Sequence, residues 1–484
     1  MSNNKIRQVT GGLIWTYAER LLAQVIAIIV TIVLARIIAP SEYGIVSIVN
    51  VFINIANAFV INGFGNSLIQ KKNADPLDFS TVFFFSLFFS SIIYLIIFGC
   101  AGIVAGFYQM PELKLVIRVM AVRLPIAAVN SVQQAYVSKK MEFRKFFFST
   151  LGGTLTSAVI GISMAYSGFG IWALVAQDIS NVCIDTLVLC FTSGWKPKLE
   201  YSVDRMKTLF SYGWKIMMVG VMTTLYSNLR NLIIGKKYTS SDLAFSEKGE
   251  QFPSAIAGNI NSSITKVLFP VLSEAQNDIE QLKRMVRRSV KIGTFILFPI
   301  LFGFAMIARP FVSTLLTEKW LGCVPFLQIM CIVYALQPLQ TSSLQCIKAL
   351  GKSSLYLWID IIKKIIGIAI LISTVIMFNN VLVIVLGALV IEIISCLILL
   401  PVNKKLIWYS YKEQFLDIVP TMVLTVLMCI AIKIFEMIVP ISGMCQLVME
   451  IIVGMIIYIS ISIVTKNENY KYILNIVKDI IARR

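Results

Sequence analysis

The sequence predicts an all-α membrane protein of about fourteen transmembrane helices, built as two six-helix lobes related by pseudo-two-fold symmetry plus two C-terminal helices. Three observations predict this fold. Of the 484 residues, 57% are hydrophobic and only 14% charged, against roughly 25% charged in soluble domains. The apolar residues fall in long runs, and about 20 of them span a bilayer core of about 30 Å. The charged residues between the runs alternate in the way membrane insertion demands.

The runs lie near 11–38, 45–69, 80–107, 115–137, 146–166, 169–192, 208–235, 250–273, 290–308, 321–347, 354–377, 380–401, 415–437 and 441–465. The first pair sets the pattern, with Ala39-Pro40-Ser41-Glu42-Tyr43-Gly44 as the turn between two helices. With both termini cytoplasmic, the inside segments carry roughly fourfold more Lys and Arg than the outside segments, as the positive-inside rule requires. The net charge of +18 is therefore topological rather than a sign of nucleic-acid binding. The first run is too long for a signal-peptide core and more spans follow it, so it is expected to be retained.

Shifting the chain by 200 residues brings Ala35 to Gly44 over Gly235 to Ala244. With a shift of about 212, Pro125, Ser131 and Gln133 answer Pro338, Ser343 and Gln345. Six spans precede the 193–207 loop and six follow it, so the repeat is parallel. The expected organisation is a 1–192 N-terminal six-helix lobe, a 193–207 cytoplasmic linker, a 208–401 C-terminal six-helix lobe, and 402–484 carrying two added helices and a cytoplasmic tail. Within that tail Ile473, Leu474, Ile476, Val477, Ile480 and Ile481 share one broad face, which suits a helix lying on the membrane surface. The Lys283-Arg284 and Arg287-Arg288 cluster is expected to fix topology, helped by contact with anionic lipids.

Polar groups at bilayer depth are costly unless they face protein or water, so they mark candidate functional positions. The first span carries Thr16, Arg20, Gln24 and Thr31 close to one face, and the second carries Asn50, Asn54 and Asn57 on one stripe. The seventh adds Lys215, Thr223, Ser227 and Arg230; the eighth adds Asn261, Ser262 and Lys266. Each uncharged member either bonds between packed helices or lines a wet cavity between the lobes. Arg20, Arg123, Lys215, Arg230 and Lys266 are the candidate substrate-binding cations, and their excess over acids favours an anionic ligand such as phosphate. Lys215 and the span-end Arg36, Lys236 and Lys237 can instead snorkel to the interface. Glu19 and Asp178 are the candidate ion-coupling acids, while Asp360 with Lys363 and Lys364 reads as a structural ion pair.

The chain contains no histidine. Together with the lack of a P-loop, a nucleophile–base set or a metal-ligand cluster, this leaves no catalytic residues, cofactor or metal to assign. Its nine cysteines have no CxxC pair and are expected to be reduced.

Ala35 to Gly44, then Asn62-Gly63-Phe64-Gly65-Asn66 to Gln70, Met141-Glu142-Phe143-Arg144 and Asn231 to Lys236 resemble the polysaccharide biosynthesis/export family. That family belongs to the multidrug/oligosaccharidyl-lipid/polysaccharide flippase superfamily, and the chain looks closest to its Wzx-like branch. The resemblance implies a flippase of the bacterial cytoplasmic membrane. It would translocate an undecaprenyl-diphosphate-linked oligosaccharide by alternating access, for O-antigen, capsule or exopolysaccharide assembly. It further implies membrane lipids, a polysaccharide polymerase and chain-length machinery as partners, and no nucleic acid. One departure stands out: relatives often carry Asp where this chain has Arg230. An ion-coupled multidrug exporter of the same superfamily is the alternative, which calls for an acidic cavity. A membrane glycosyltransferase or polymerase is the alternative enzyme, which calls for a large outside loop; the longest here, near 236–249, is short.

Overall fold

The computed structural model describes residues 22–61, 64–71, 74–439 and 442–482. Every regular element among them is helical. In chain order these are α1 (Leu22–Ile37), α2 (Pro40–Ile61), α3 (Phe64–Gln70), α4 (Pro76–Tyr108), α5 (Glu112–Met120), α6 (Arg123–Lys139), α7 (Arg144–Tyr166), α8 (Ile171–Thr192), α9 (Val203–Lys237) and α10 (Ser240–Glu274). There follow α11 (Ile279–Met306), α12 (Ala308–Phe311), a π turn (Val312–Leu316), a 3-10 turn (Glu318–Cys323), α13 (Val324–Ala335) and α14 (Gln337–Ala349). The chain closes with α15 (Ser353–Met377), α16 (Val381–Ile407), α17 (Tyr411–Leu416), α18 (Val419–Ile438), α19 (Met444–Val464) and α20 (Glu468–Ala482).

Helix covers most of the described part of each of the fourteen runs. Ten helical stretches among the described residues are long and apolar enough to cross a membrane. The remaining four runs are held by α1, α9, α10 and α15; α9 and α10 have ample length at 35 residues each. The run expected at 115–137 is two helices, parted at Ala121-Val122. Pro125 explains the break, because its ring nitrogen cannot donate back to the preceding turn.

The chain divides by packing into two compact units, Met1–Ala244 and Phe245–Arg484. The first unit contains α9, which the repeat assigns to the second lobe. Its Met206, Leu209, Met217 and Val221 join a core with Leu68, Phe79, Val132 and Trp195. The 193–207 segment is anchored rather than loose. Trp195 packs among the rings of Phe79, Phe83 and Tyr136, and the Lys198 and Ser202 backbone amides donate to Ser80 and Thr81.

Helices α7 and α8 approach closely because Ser149, Gly153, Ser157 and Gly161 repeat at every fourth residue along α7. A Cβ on Gly153 would sit 2.9 Å from the Asn181 carbonyl oxygen. Small residues at this spacing let backbones close up in a membrane.

In the second unit α18 and α19 pack on α11 through Phe295, Leu424, Met428, Ile432 and Tyr458, and the Tyr458 hydroxyl donates to the Phe295 carbonyl at 2.9 Å. Ile473 of α20 packs against the same cluster, and the Arg288 guanidinium lies 3.5 Å from the Tyr472 ring centroid. The tail helix is thus held by protein contacts. All nine cysteines are free thiols.

Candidate functional site

The polar groups of the described helices separate into three sets. Glu19, Arg20 and Thr16 lie outside the described residues. On α2, Asn50 and Asn57 are half-buried and Asn54 is exposed, and the Asn57 Oδ1 is enclosed with no hydrogen-bond partner among the described residues. Gln24 on α1 is half-buried; Lys215 on α9 and Lys266 on α10 are exposed, while Arg230 and Ser262 are half-buried.

The second set is satisfied internally. Arg123 and Asp178, expected in separate roles as substrate cation and coupling acid, are partners at 2.7 Å between α6 and α8. The two groups expected in separate roles are therefore each other's counter-charge in this structure. Asn261 donates to Gln337 Oε1 at 2.7 Å across the α10–α14 interface, which is the interhelical role rather than the cavity role. Arg118 lies 4.2 Å from the Phe98 ring centroid and donates to the Phe98 carbonyl. Lys236 caps the end of α4 by donating to the Phe107 carbonyl. Asp360 and Lys364 form the expected pair at 2.8 Å, but Lys363 turns away and donates to Gln340 Oε1.

The third set escaped sequence reasoning. Asp75 caps α4: its side chain accepts from the Asp78 amide at 2.9 Å, and the Asp78 carboxylate accepts from the Asp75 amide at 3.1 Å. Pro76 starts the helix where no backbone donor is needed. Lys71 and Arg205 then neutralise Asp78, at 2.7 and 3.2 Å. Arg205 also bridges to Asp75 and holds that carboxyl below the usual range by donating to it. Lys139 donates to the Leu68 carbonyl and completes the cluster.

The second unit has a similar knot. Arg287 forks onto Asp417 at 2.7 and 2.9 Å and reaches Glu413 at 3.1 Å. Lys283 pairs with Glu413, Lys291 with Asp417, and the Tyr409 hydroxyl donates to Asp417 at 2.7 Å. Half of the basic cluster read as topological is therefore spent on α17 and its flank. The sequence signal was the Ser410-x-x-Glu413 capping box, which the structure forms in both directions.

These features define a multi-span α-helical membrane protein with charged side chains at depth. Among the described residues no group of three or more His, Cys, Asp or Glu could hold a metal. Residues 33–325 match the family model described as "Polysaccharide biosynthesis protein", and the chain belongs to that family.

Two curated relatives carry the likeness beyond that stretch. The chain is 22% identical over 360 residues to teichuronic acid biosynthesis protein TuaB of Bacillus subtilis, covering 73% of this chain and 74% of TuaB. It is 23% identical over 335 residues to succinoglycan biosynthesis transport protein ExoT of Rhizobium meliloti, covering 69% and 67% of the two chains. Among solved structures, the lipid II flippase MurJ in an inward closed conformation superposes with a TM-score of 0.76 at 12% identity, covering 94% of this chain and 99% of MurJ. That likeness shows the fold.

Proposed function

We propose that the protein flips an undecaprenyl-diphosphate-linked oligosaccharide across the bacterial cytoplasmic membrane by alternating access, for O-antigen, capsule or exopolysaccharide assembly. One observation carries the reading: a chain of the polysaccharide biosynthesis family has the fold of a flippase over 94% of its length. In this reading the chain crosses the membrane fourteen times with both termini cytoplasmic, and α1, α2, α9 and α10 line the route.

Arg20, Lys215, Arg230 and Lys266 meet the diphosphate. Phosphate oxygens take charge-assisted hydrogen bonds from such groups, about twice as strong as neutral ones. Gln24, Asn50, Asn54, Asn57 and Ser262 offer neutral donors and acceptors to the sugar hydroxyls. The bilayer itself solvates the polyprenyl tail, and a polymerase with its chain-length partner takes the product on the far side. The chain performs transport and no bond-making step.

Deletion tests the proposal directly. Cells lacking the protein should accumulate lipid-linked oligosaccharide on the inner leaflet, inaccessible to reagents added outside. Normal outward delivery in the deletion strain overturns the reading.

A further inference from the structure

Helix α17 is built inside out. Glu413, Gln414 and Asp417 lie on its inward side. There Glu413 meets Lys283 and Arg287, Asp417 meets Arg287 and Lys291, and the Gln414 amide donates to the Leu400 and Tyr409 carbonyls. Tyr411, Phe415 and Leu416 are exposed on the opposite side. Phe415 is 69% exposed, and Trp408, just before the helix, is 65% exposed. A surface helix in water shows the reverse pattern, with its apolar stripe inward. Trp408 ends α16 with φ at 53°, where a bulky side chain is an outlier, so the fold holds an exposed tryptophan in a costly conformation.

The position of this corner explains its polarity. Helix α16 has 27 residues, about 40 Å of helix, against a bilayer core of about 30 Å. Both α16 and the Tyr411–Ile438 stretch are long and apolar enough to cross a membrane. The turn between two such spans lies at headgroup level, where amphipathic rings sit.

Three lysines flank the apolar face. Lys404, Lys405 and Lys412 are all exposed, and among the described residues none is paired with a carboxylate. The Lys404 ammonium lies 4.9 Å from the Tyr411 ring centroid, which joins the cations to the aromatic side chains. Both acids of the corner, Glu413 and Asp417, face inward and are already matched.

We propose that the 404–416 corner is a docking surface for anionic phospholipid of the surrounding bilayer. The three lysines take lipid phosphates, and Trp408, Tyr411 and Phe415 settle beneath the headgroups. The cluster of Lys283, Arg287 and Lys291 is the brace that turns this face toward the lipid. An open patch with flexible lysines binds phosphate as point charges, which suits an abundant headgroup rather than enclosed capture of a scarce one. The surface is independent of which molecule the protein carries.

The test titrates phosphatidylglycerol into the purified full-length protein in a neutral detergent and follows thermal unfolding, with phosphatidylcholine as the reference. The melting temperature should rise by several degrees and saturate with phosphatidylglycerol, and phosphatidylcholine should not reproduce the rise. A lysine beside an anionic lipid surface changes affinity roughly fivefold. Lys412→Gln should therefore raise the half-saturating concentration roughly fivefold, and Lys404→Gln, Lys405→Gln and Lys412→Gln together about a hundredfold. Arg284→Gln removes an exposed cation of α11 outside the corner and should leave it unchanged. An equal response to both lipids, a triple variant with the wild-type half-saturation, or an Arg284→Gln effect matching that of Lys412→Gln overturns the proposal.

In vesicles of brominated phosphatidylglycerol, the emission that Trp408→Phe removes should be quenched; unquenched emission overturns the insertion of this face. Stabilisation by a polyprenyl diphosphate with none by phosphatidylglycerol would assign the patch to the carried lipid instead. A detergent-stable dimer that Phe415→Glu splits would assign it to a second copy. Either result overturns the proposal.

Discussion

Arg205 lies 3.2 Å from Asp78, a carboxylate with no exposed surface at the first turn of α4. That single reach joins the start of α9 to the start of α4, more than 120 residues away, and it fastens the segment between α8 and α9 to the body of the first unit. Lys71 supplies a second positive charge, so that two cations match the two carboxylates Asp75 and Asp78.

The clasp should respond to acid. Asp75 sits below its usual range because Arg205 donates to it. A depressed carboxyl contributes stability that is complete above its unfolded value, about pH 4, and fades as pH falls through its folded value. Hydrogen exchange across 193–202 should therefore be slow and level from about pH 5 to 7, once intrinsic exchange is corrected for, and should rise below about pH 4. Arg205→Gln should quicken exchange at neutral pH.

Gly44 tests how closely the two halves of the repeated corner meet. A Cβ there would fall 1.8 Å from the Ser240 carbonyl oxygen, a backbone atom that cannot rotate aside. Gly44→Ala should cost about 3 kcal/mol or more, the upper end of overpacking penalties, and should sharply reduce the folded protein recovered from membranes. Gly102→Ala is the control: no atom lies within 4 Å of its Cβ, and removing a helical glycine should be neutral or stabilise by up to about 1 kcal/mol.

Asp417 is 3% exposed at its side chain and is served by Arg287, Lys291 and Tyr409. Arg287→Ala leaves two of the three partners, so the expected loss is about 1–3 kcal/mol rather than the full cost of an orphaned buried charge. Arg287→Lys should recover only part of it, because an ammonium cannot reproduce the forked bond. Thermal melting of the three proteins in one detergent measures this order.

For transport, the sign of the charge at position 266 should matter more than its shape. Lys266→Arg should retain export, whereas Lys266→Glu should lower it about tenfold or more, since like charges repel an incoming diphosphate. Arg123→Gln should reduce thermal stability through its lost bond to Asp178 without the same selective effect on export per folded molecule. Measuring surface polysaccharide against membrane protein level separates the two.

Much of the fold was legible in the sequence because apolarity is a local property. A run long enough to span the bilayer is read residue by residue, whereas the caps at Asp75 and Ser410, each local to four residues, went unread. Asp360 with Lys364 was legible for the same reason, being four residues apart on one helix. The pairing of Arg123 was not legible because its partner stands 55 residues away. The acids that pair with Lys283 and Arg287 were not legible because they lie about 130 residues further on.

By itself, then, the sequence determined that the chain is helical, lives in a membrane and carries unusual charge at depth. Composition and hydrophobic run length decide these points before any two helices meet. Only the tertiary structure decided which charges are spent on each other. That outcome depends on the register between helices: Asp178 and Asp185 differ by one heptad and share a helix face, yet one meets an arginine and the other an asparagine.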